Sequence, residues 1–416
     1  MLAAHSIVVK DSPELLKMME DSLAIYDQAL YYQRQEFFKG RITNSKYKIY
    51  SYKELWDIVK NDPAYKDSKL DIGPKTYAIR QVVKNWKSYL HANKDFLKNP
   101  KRYLGKPKIP KYLNKTKKYN IAQIDSSRFR HKNCKENEIY LPNTKYHVQM
   151  PDFIRLESVH MISVSKYYDK TKITIVYEDL NYINNKVDKS SSIGIDLGLN
   201  NLCAITANDK SFSYVIKGGP LKSINQYYNK KKAEIKSELD KCNKKNYYSN
   251  RLRRLDKKRK HKIYNYIHNA ANKIIKLCID NNIETIVIGH TPKWKQSIRI
   301  GDMNNQNFVG VPFNDLIDTL VYKSEKYINL CVKTVEESYT SKCDHLAFES
   351  MCHHDKYLGR RMMRGIFKSS TGRGLNADIN GAIGILRKGK AISDAQIMCL
   401  RDRGDIVSPK VLKLNP

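Results

Sequence analysis

The run SSIGIDLGLNNLCAIT, residues 191–206, limits the fold more than any other stretch of the chain. It begins as a short apolar strand, sets the carboxylate of Asp196 beside the turn glycine Gly198, and resumes as a second apolar strand through Leu202, Ala204 and Ile205. Strands this apolar belong inside a covered sheet. A lone carboxylate there costs several kcal/mol unless something pairs with it or binds it. The fold must therefore bring Asp196 either a partner or a cation.

The charge balance narrows the choice. Lys and Arg number 76 against 42 Asp and Glu, a formal net charge of +34 over 416 residues. That excess attracts polyanions, nucleic acid first among them. A membrane surface is the rival polyanion, but no apolar run approaches the ~20 residues of a spanning helix. The N-terminus lacks the basic start, apolar stretch and cleavage site of a signal peptide. The expectation is an intracellular protein, cytoplasmic in a prokaryotic host or nuclear in a eukaryotic one, neither secreted nor membrane-bound. The eight cysteines are scattered and read as free thiols.

Leu15, Leu16, Met19, Leu23, Tyr26 and Leu30 recur at helical spacing and predict a helix from Pro13 to about Phe38. Further helices start near Tyr52 and after Pro74, so residues 13–97 form a helical segment. Next comes a basic stretch with Lys101, Arg102, Lys106, Lys108, Lys111 and Tyr112, whose prolines exclude a long helix. It reads as an extended basic-aromatic strap on a nucleic-acid backbone, with a solvated linker as the alternative. From about 120 to 180 the pattern turns to β-branched strands that fit a small barrel, with residues 4–10 as a further strand.

From Ser192 the order reads strand, strand, helix, helix, strand, helix, strand, helix. Residues 222–262 carry sixteen Lys or Arg against four acids and predict a helical hairpin. Arg251, Arg253, Arg254, Lys257, Lys258 and Arg259 are its densest run, suited to phosphates. Cutting a phosphodiester with two divalent metals needs three or four converging carboxylates. Mg²⁺ takes oxygen ligands and keeps several waters. Asp378, at the start of the helix NADINGAIGILRK, is the second candidate beside Asp196. A third acid is expected at the end of the strand ETIVIGH, where Gly289 and His290 stand instead. The next strand ends in Glu336 and Glu337, and strand alternation allows only one of them to face the site.

The segments GIDLGLNNLCAIT, TIVIGHTPKWKQ, NNQNFVGVPFNDLI, EESYTSKCDHL, HDKYLGRRMMRGIFKSSTGR and NADINGAIGILRK together resemble the TnpB proteins of bacterial insertion sequences and their Fanzor relatives. The resemblance runs from about Ser191 to Lys388. It implies a multidomain α/β protein with an RNase H-like (RuvC) nuclease core at 187–390, into which the basic hairpin 222–277 is inserted. It implies a β-barrel wedge domain (1–12 and 98–186), interrupted by a helical recognition domain (13–97), with a tail at 391–416. The implied activity is RNA-guided, Mg²⁺-dependent cleavage of double-stranded DNA by a mobile element, often labelled a transposase. Its partners are guide RNA from the element's own locus and double-stranded target DNA; monomer and dimer both stay open.

Carried over, Asp196 is the first catalytic acid and metal ligand and Asp378 the last. Glu337, three residues before Thr340 of the "TS" motif, is the relocated middle acid, with Glu336 the second choice. Two Mg²⁺ ions are the implied cofactors. Relatives place a zinc ribbon at the position of 340–373; here Leu346 stands where a cysteine is required and no second Cys pair follows. Zinc is therefore not expected; Cys343 and His345 with Cys352 and one of His353 and His354 are the ligands on offer, and Arg360, Arg361 and Arg364 give the insert a nucleic-acid-binding edge. Lys293 and Trp294 complete the candidate nucleic-acid contacts. Two other readings of the same fold are a transposase acting on its own element ends and a nuclease-dead RNA-guided repressor. An actin-type ATPase, which also opens on GIDLG, is disfavoured by LNN after the glycine and by the net charge.

Overall fold

The computed structural model of the chain describes residues 2–42, 48–114, 117–128, 137–242, 247–290, 310–363 and 365–414. They divide into two compact units, Met1–Leu180 and Asn181–Pro416.

In the first unit β1 (Leu2–Val9) pairs antiparallel with β6 (Lys170–Glu178), Leu2 opposite Glu178. With β5 (Val159–Tyr167) and β2 (Ala122–Asp125) they form a sheet of order β1-β6-β5-β2. A separate ribbon joins β3 (Glu138–Tyr140) to β4 (His147–Gln149). Among the described residues this is an open sheet with a ribbon, where the sequence predicts a barrel. Its inner face is covered by helices instead: α1 (Pro13–Ile42) and α4 (Ile72–Lys98) pack on it, beside α2 (Tyr52–Val59) and α3 (Pro63–Lys66). Asp71 caps α4 by accepting from the Gly73 amide, which starts the helix ahead of Pro74. Leu15, Met19, Tyr26, Ile79 and Trp86 share one core with Ile124, Ile162 and Ile175, so helices and sheet fold as one body.

The basic strap is held along α1. Asp27 accepts from the backbone amides of Leu113 and Asn114 at 2.7 and 2.9 Å. Arg34 donates to the Pro110 carbonyl and lies 5.3 Å from the Tyr112 ring centre. Tyr112 is thus turned inward, while Lys101, Arg102, Lys106, Lys108 and Lys111 are exposed.

The second unit is built on a six-stranded sheet of order β11-β10-β7-β8-β9-β15. β7 (Ser192–Leu197) is central; it pairs antiparallel with β8 (Asn201–Ala207) and parallel with β10 (Thr285–Gly289), which pairs parallel with β11 (Cys331–Val335). β9 (Ser213–Lys217) lengthens the first hairpin by a strand that the sequence order omits. Alternation divides the side chains between two faces. Ile193, Ile195 and Leu197 with Ile286 and Ile288 pack on one side with α6 (Asn250–Asp280) and α7 (Phe313–Ser324). Val287, Gly194 and Asp196 lie on the other side, under α8 (Ala377–Lys388). α5 (Gly219–Lys241) and α6 form the predicted hairpin.

Residues 340–376 carry a small antiparallel sheet, β12 (Arg360–Met363), β13 (Ile366–Lys368) and β14 (Gly374–Asn376), the last running directly into α8. The C-terminal stretch is more than a tail: α9 (Asp394–Arg401) is followed by β15 (Lys410–Val411), which extends the sheet beside β9. Arg403 ties it down by donating to the carbonyls of Ala207 and Phe212 and to Asp405.

A Cβ on Gly194 would overlap the Ala382 carbonyl of α8 and lie 2.8 Å from the Leu386 Cγ. Gly194→Ala is therefore expected to destabilise the protein by about 1–3 kcal/mol, since backbone cannot yield as a flexible side chain can. Urea unfolding measures this; a wild-type midpoint would contradict the seating of α8 on β7.

Candidate active site

Asp196 lies on the α8 face near the end of β7, and glycine makes room for it. A Cβ on Gly381 would sit 2.8 Å from Asp196 Oδ2. Among the described residues no side chain or backbone group hydrogen-bonds to this carboxylate. Burial pushes its pKa well up, and the charges of Asp378 and Glu337 push it further; Arg361 offsets this only in part. Asp378 and Glu337 are thus within electrostatic reach of Asp196.

Asp378 stands in the first turn of α8. Asn376, the N-cap, accepts from the amides of Asp378 and Ile379 at 3.0 and 3.2 Å. Asn201, at the start of β8, donates to Asp378 Oδ2 at 2.8 Å. Arg361 of β12 approaches the other oxygen at 3.5 Å. The sequence reading passed over Asn201; the signal lay in the LNN following GIDLG, which places an amide at the strand end opposite the helix start.

The two glutamates face different ways. Glu336 accepts from the Ser338 amide and from Lys388 Nζ at 2.8 Å, and the Lys388 hydrogen bond holds it below the usual carboxylate range. Glu337 turns inward. A Cβ on Gly289 would lie 3.0 Å from Glu337 Oε2 and 2.5 Å from Ile385 Cδ1. β10 and β11 run parallel, with Gly289 opposite Val335. Glu337 thus stands two residues beyond that pair and reaches into the space that the glycine at the end of β10 leaves. Burial, then the Glu336 charge, raises Glu337 to about 7 against an ordinary value of 4.5, with Lys388 opposing.

Among the described residues no three His, Cys, Asp or Glu side chains close into a ready-made cage for a metal. The acids nonetheless suit Mg²⁺, which is bound by one or two carboxylates, retained waters and substrate phosphates rather than by an all-protein cage. Raised pKa values on Asp196 and Glu337, with no donor among the described residues reaching Asp196, are what a cation would relieve.

The basic candidates fall into separate groups. Arg251, Arg253, Arg254 and Lys258 are exposed on the N-terminal half of α6, and Lys257 and Arg259 are half-buried there. The C-terminal half of that helix is core. Arg360 and Arg361 are exposed on β12. Lys293, Trp294 and Arg364 lie outside the described residues.

The candidate zinc ligands are not brought together. His345 is buried and both ring nitrogens are in use: Nε2 bonds the Thr340 carbonyl at 2.6 Å and Nδ1 faces Arg387 Nη1 at 3.0 Å. Burial lowers this imidazole to about 4, so it is neutral. Cys343 points at the Ser350 carbonyl, Cys352 contacts His354, and His353 is exposed. The insert also has a polar clasp. Buried Asp344 accepts from the Ser369 hydroxyl at 2.8 Å and the Ser370 amide at 2.6 Å; its own amide donates to Glu349. Arg387 of α8 donates to the Glu349 and Phe348 carbonyls.

Comparison with known proteins agrees with this architecture. A family model, OrfB_IS605, described as a probable transposase, matches residues 174–295. The TnpB-like protein ORF457 of Acidianus two-tailed virus is 21% identical over 405 residues, spanning 90% of this chain and 83% of that protein. The structure of a Cas12f1-sgRNA-target DNA complex superposes with a TM-score of 0.51 at 15% identity, covering 89% of this chain and 81% of that one. The fold is thus a Cas12f-like multidomain α/β fold. The resemblance to TnpB proteins read from the motifs holds, and the chain is TnpB-like. No helix among the described residues is long and apolar enough to cross a membrane.

An acid whose folded-state pKa lies above its unfolded one takes up protons on folding between those values. Its contribution to stability then falls as pH rises from about 4.5 to about 7. Metal-free protein is expected to lose stability across that window, and Glu337→Gln to make the loss shallower. Urea midpoints at about pH 5 and about pH 7 in a chelator test this. An unchanged slope would mean that Glu337 does not face the site.

Proposed function

We propose that this chain is an RNA-guided DNA endonuclease of a mobile element, with an RNase H-like core of RuvC type in Asn181–Pro416. What supports the reading is buried Asp196 on the α8 face of β7, within electrostatic reach of Asp378 and Glu337 and with no hydrogen bond to its carboxylate among the described residues. When bound there, two Mg²⁺ ions would supply an activated water and stabilisation of the leaving oxygen. Asp196 and Glu337 offer carboxylates whose repulsion a bound cation would relieve, in competition with protons. Asn201 fixes the rotamer of Asp378, and the Glu336–Lys388–Ser338 network pins the loop that presents Glu337.

Specificity on this reading comes from base pairing between guide and target, with the protein reading only a short flanking motif. The related Cas12f1 structure holds an sgRNA and target DNA, which supports these two partners. The helices and sheet of Met1–Leu180 serve as recognition and wedge elements, with the exposed lysines of the strap and Arg360 and Arg361 on nucleic-acid backbone. The clasp around Asp344 holds the insert without zinc.

The test is purification with the flanking locus co-expressed, sequencing of the bound RNA, and cleavage of a matching target in Mg²⁺. Asp196→Ala and Asp378→Ala are expected to abolish cleavage and retain RNA and DNA binding. Asn201→Ala should lower cleavage by roughly 10–100-fold, the usual effect of losing an outer-shell partner. Full cleavage by either Asp variant would break the assignment; discrete element-end binding without guide RNA would favour a transposase.

A further inference from the structure

The α5–α6 hairpin holds more than a solvated basic face. Between the helices lies a cavity of about 210 Å³. On α5 it is lined by Ser223, Ile224, Tyr227 and Tyr228, and on α6 by Leu255, Lys258, Arg259 and Lys262. Each set follows helical spacing, so two helix faces look at one another across it. Ile224, Leu255 and the tyrosine rings make its walls apolar, and three cations stand around them. Arg259 is fixed in place: Nε donates to Asn225 Oδ1 at 2.8 Å, and its guanidinium lies 4.8 Å from the Tyr228 ring centre. Asn225 is buried and donates in turn to the Gly310 carbonyl at 3.0 Å. Tyr227 is 54% exposed, so its ring is open to an incoming base.

A basic face that merely tracks a duplex has no use for an apolar cavity between its cations. Aromatic and aliphatic walls take up a planar ring, and Lys258 and Lys262 suit the phosphate attached to it. A base within a duplex is already stacked on both faces and cannot enter. We propose that this cavity binds one unpaired nucleotide of a single strand, its base against Tyr227 and Tyr228 and its phosphate at Lys258 and Lys262. The proposal rests on the nucleic-acid reading above and adds to it a defined site on the hairpin.

Fluorescence anisotropy with short labelled single strands of oligothymidylate and oligouridylate, against a DNA duplex of equal length, tests it. Tyr227→Ala removes an exposed wall, and Ser223→Phe fills the cavity from its rim. Each is expected to weaken single-strand binding on the order of tenfold while duplex binding changes by less than about twofold. Loss in the deoxyribose arm alone assigns the site to DNA, and loss in the ribose arm alone to RNA; either supports the proposal. Unchanged single-strand binding in both variants, or equal loss for duplex and single strand, overturns it. Wild-type protein that binds none of the probes overturns the nucleic-acid reading as well. Unfolding midpoints of both variants close to wild type exclude a folding defect as the cause of any loss.

Discussion

The site depends on one close contact: α8 lies directly on β7, with glycines where side chains would keep them apart. Gly194 admits the backbone of α8, and Gly381 admits the Asp196 carboxylate. Gly384 lets His345 and the insert reach the same helix, since a Cβ there would overlap His345 Nε2 and lie 2.9 Å from the Thr340 carbonyl. The approach brings the N-terminal turn of α8, with Asp378, to the strand that carries Asp196. It also leaves Asp196 buried near the charges of Asp378 and Glu337, which raise its pKa further, and this is costly to the free protein. That cost is the physical reason to expect a cation.

The relocated glutamate follows from the same geometry. A strand end occupied by glycine leaves a space bounded by Ile385, and the neighbouring parallel strand reaches it from two residues past its last ladder pair. Exposed Glu336 and half-buried Lys388 have the complementary task, an ion pair at 2.8 Å that fixes the loop. The insert shows a similar exchange of means: Asp344, Glu349, His345 and Arg387 hold together, by buried hydrogen bonds, a loop for which the family resemblance implies a metal ribbon.

Much of this was legible in the sequence where a local rule governs. Asp196 in an apolar strand and Asp378 behind an N-cap asparagine announce themselves by pattern and charge, and the hairpin by its helical spacing. What escaped depends on distant packing. β9 lacks the unbroken apolar run of β10, since Ser213, Tyr214 and Lys217 are among its five residues, and β15 is a two-residue strand in a segment that Arg403 ties to the sheet. Tyr112 looked like a free aromatic until Arg34 and Asp27 placed the strap against α1. The choice between Glu336 and Glu337 turned on strand phase, which a two-residue overhang past a ladder leaves undetermined by alternation alone.

The central claim, that Glu337 and not Glu336 joins Asp196 and Asp378 around a divalent cation, is tested most directly by binding. Mn²⁺ titrated into the full chain and followed by electron paramagnetic resonance reports occupancy without any need for guide or target. The account predicts that Glu337→Gln weakens Mn²⁺ binding strongly while Glu336→Gln stays near wild type. Weakened binding in Glu336→Gln with wild-type binding in Glu337→Gln would contradict it.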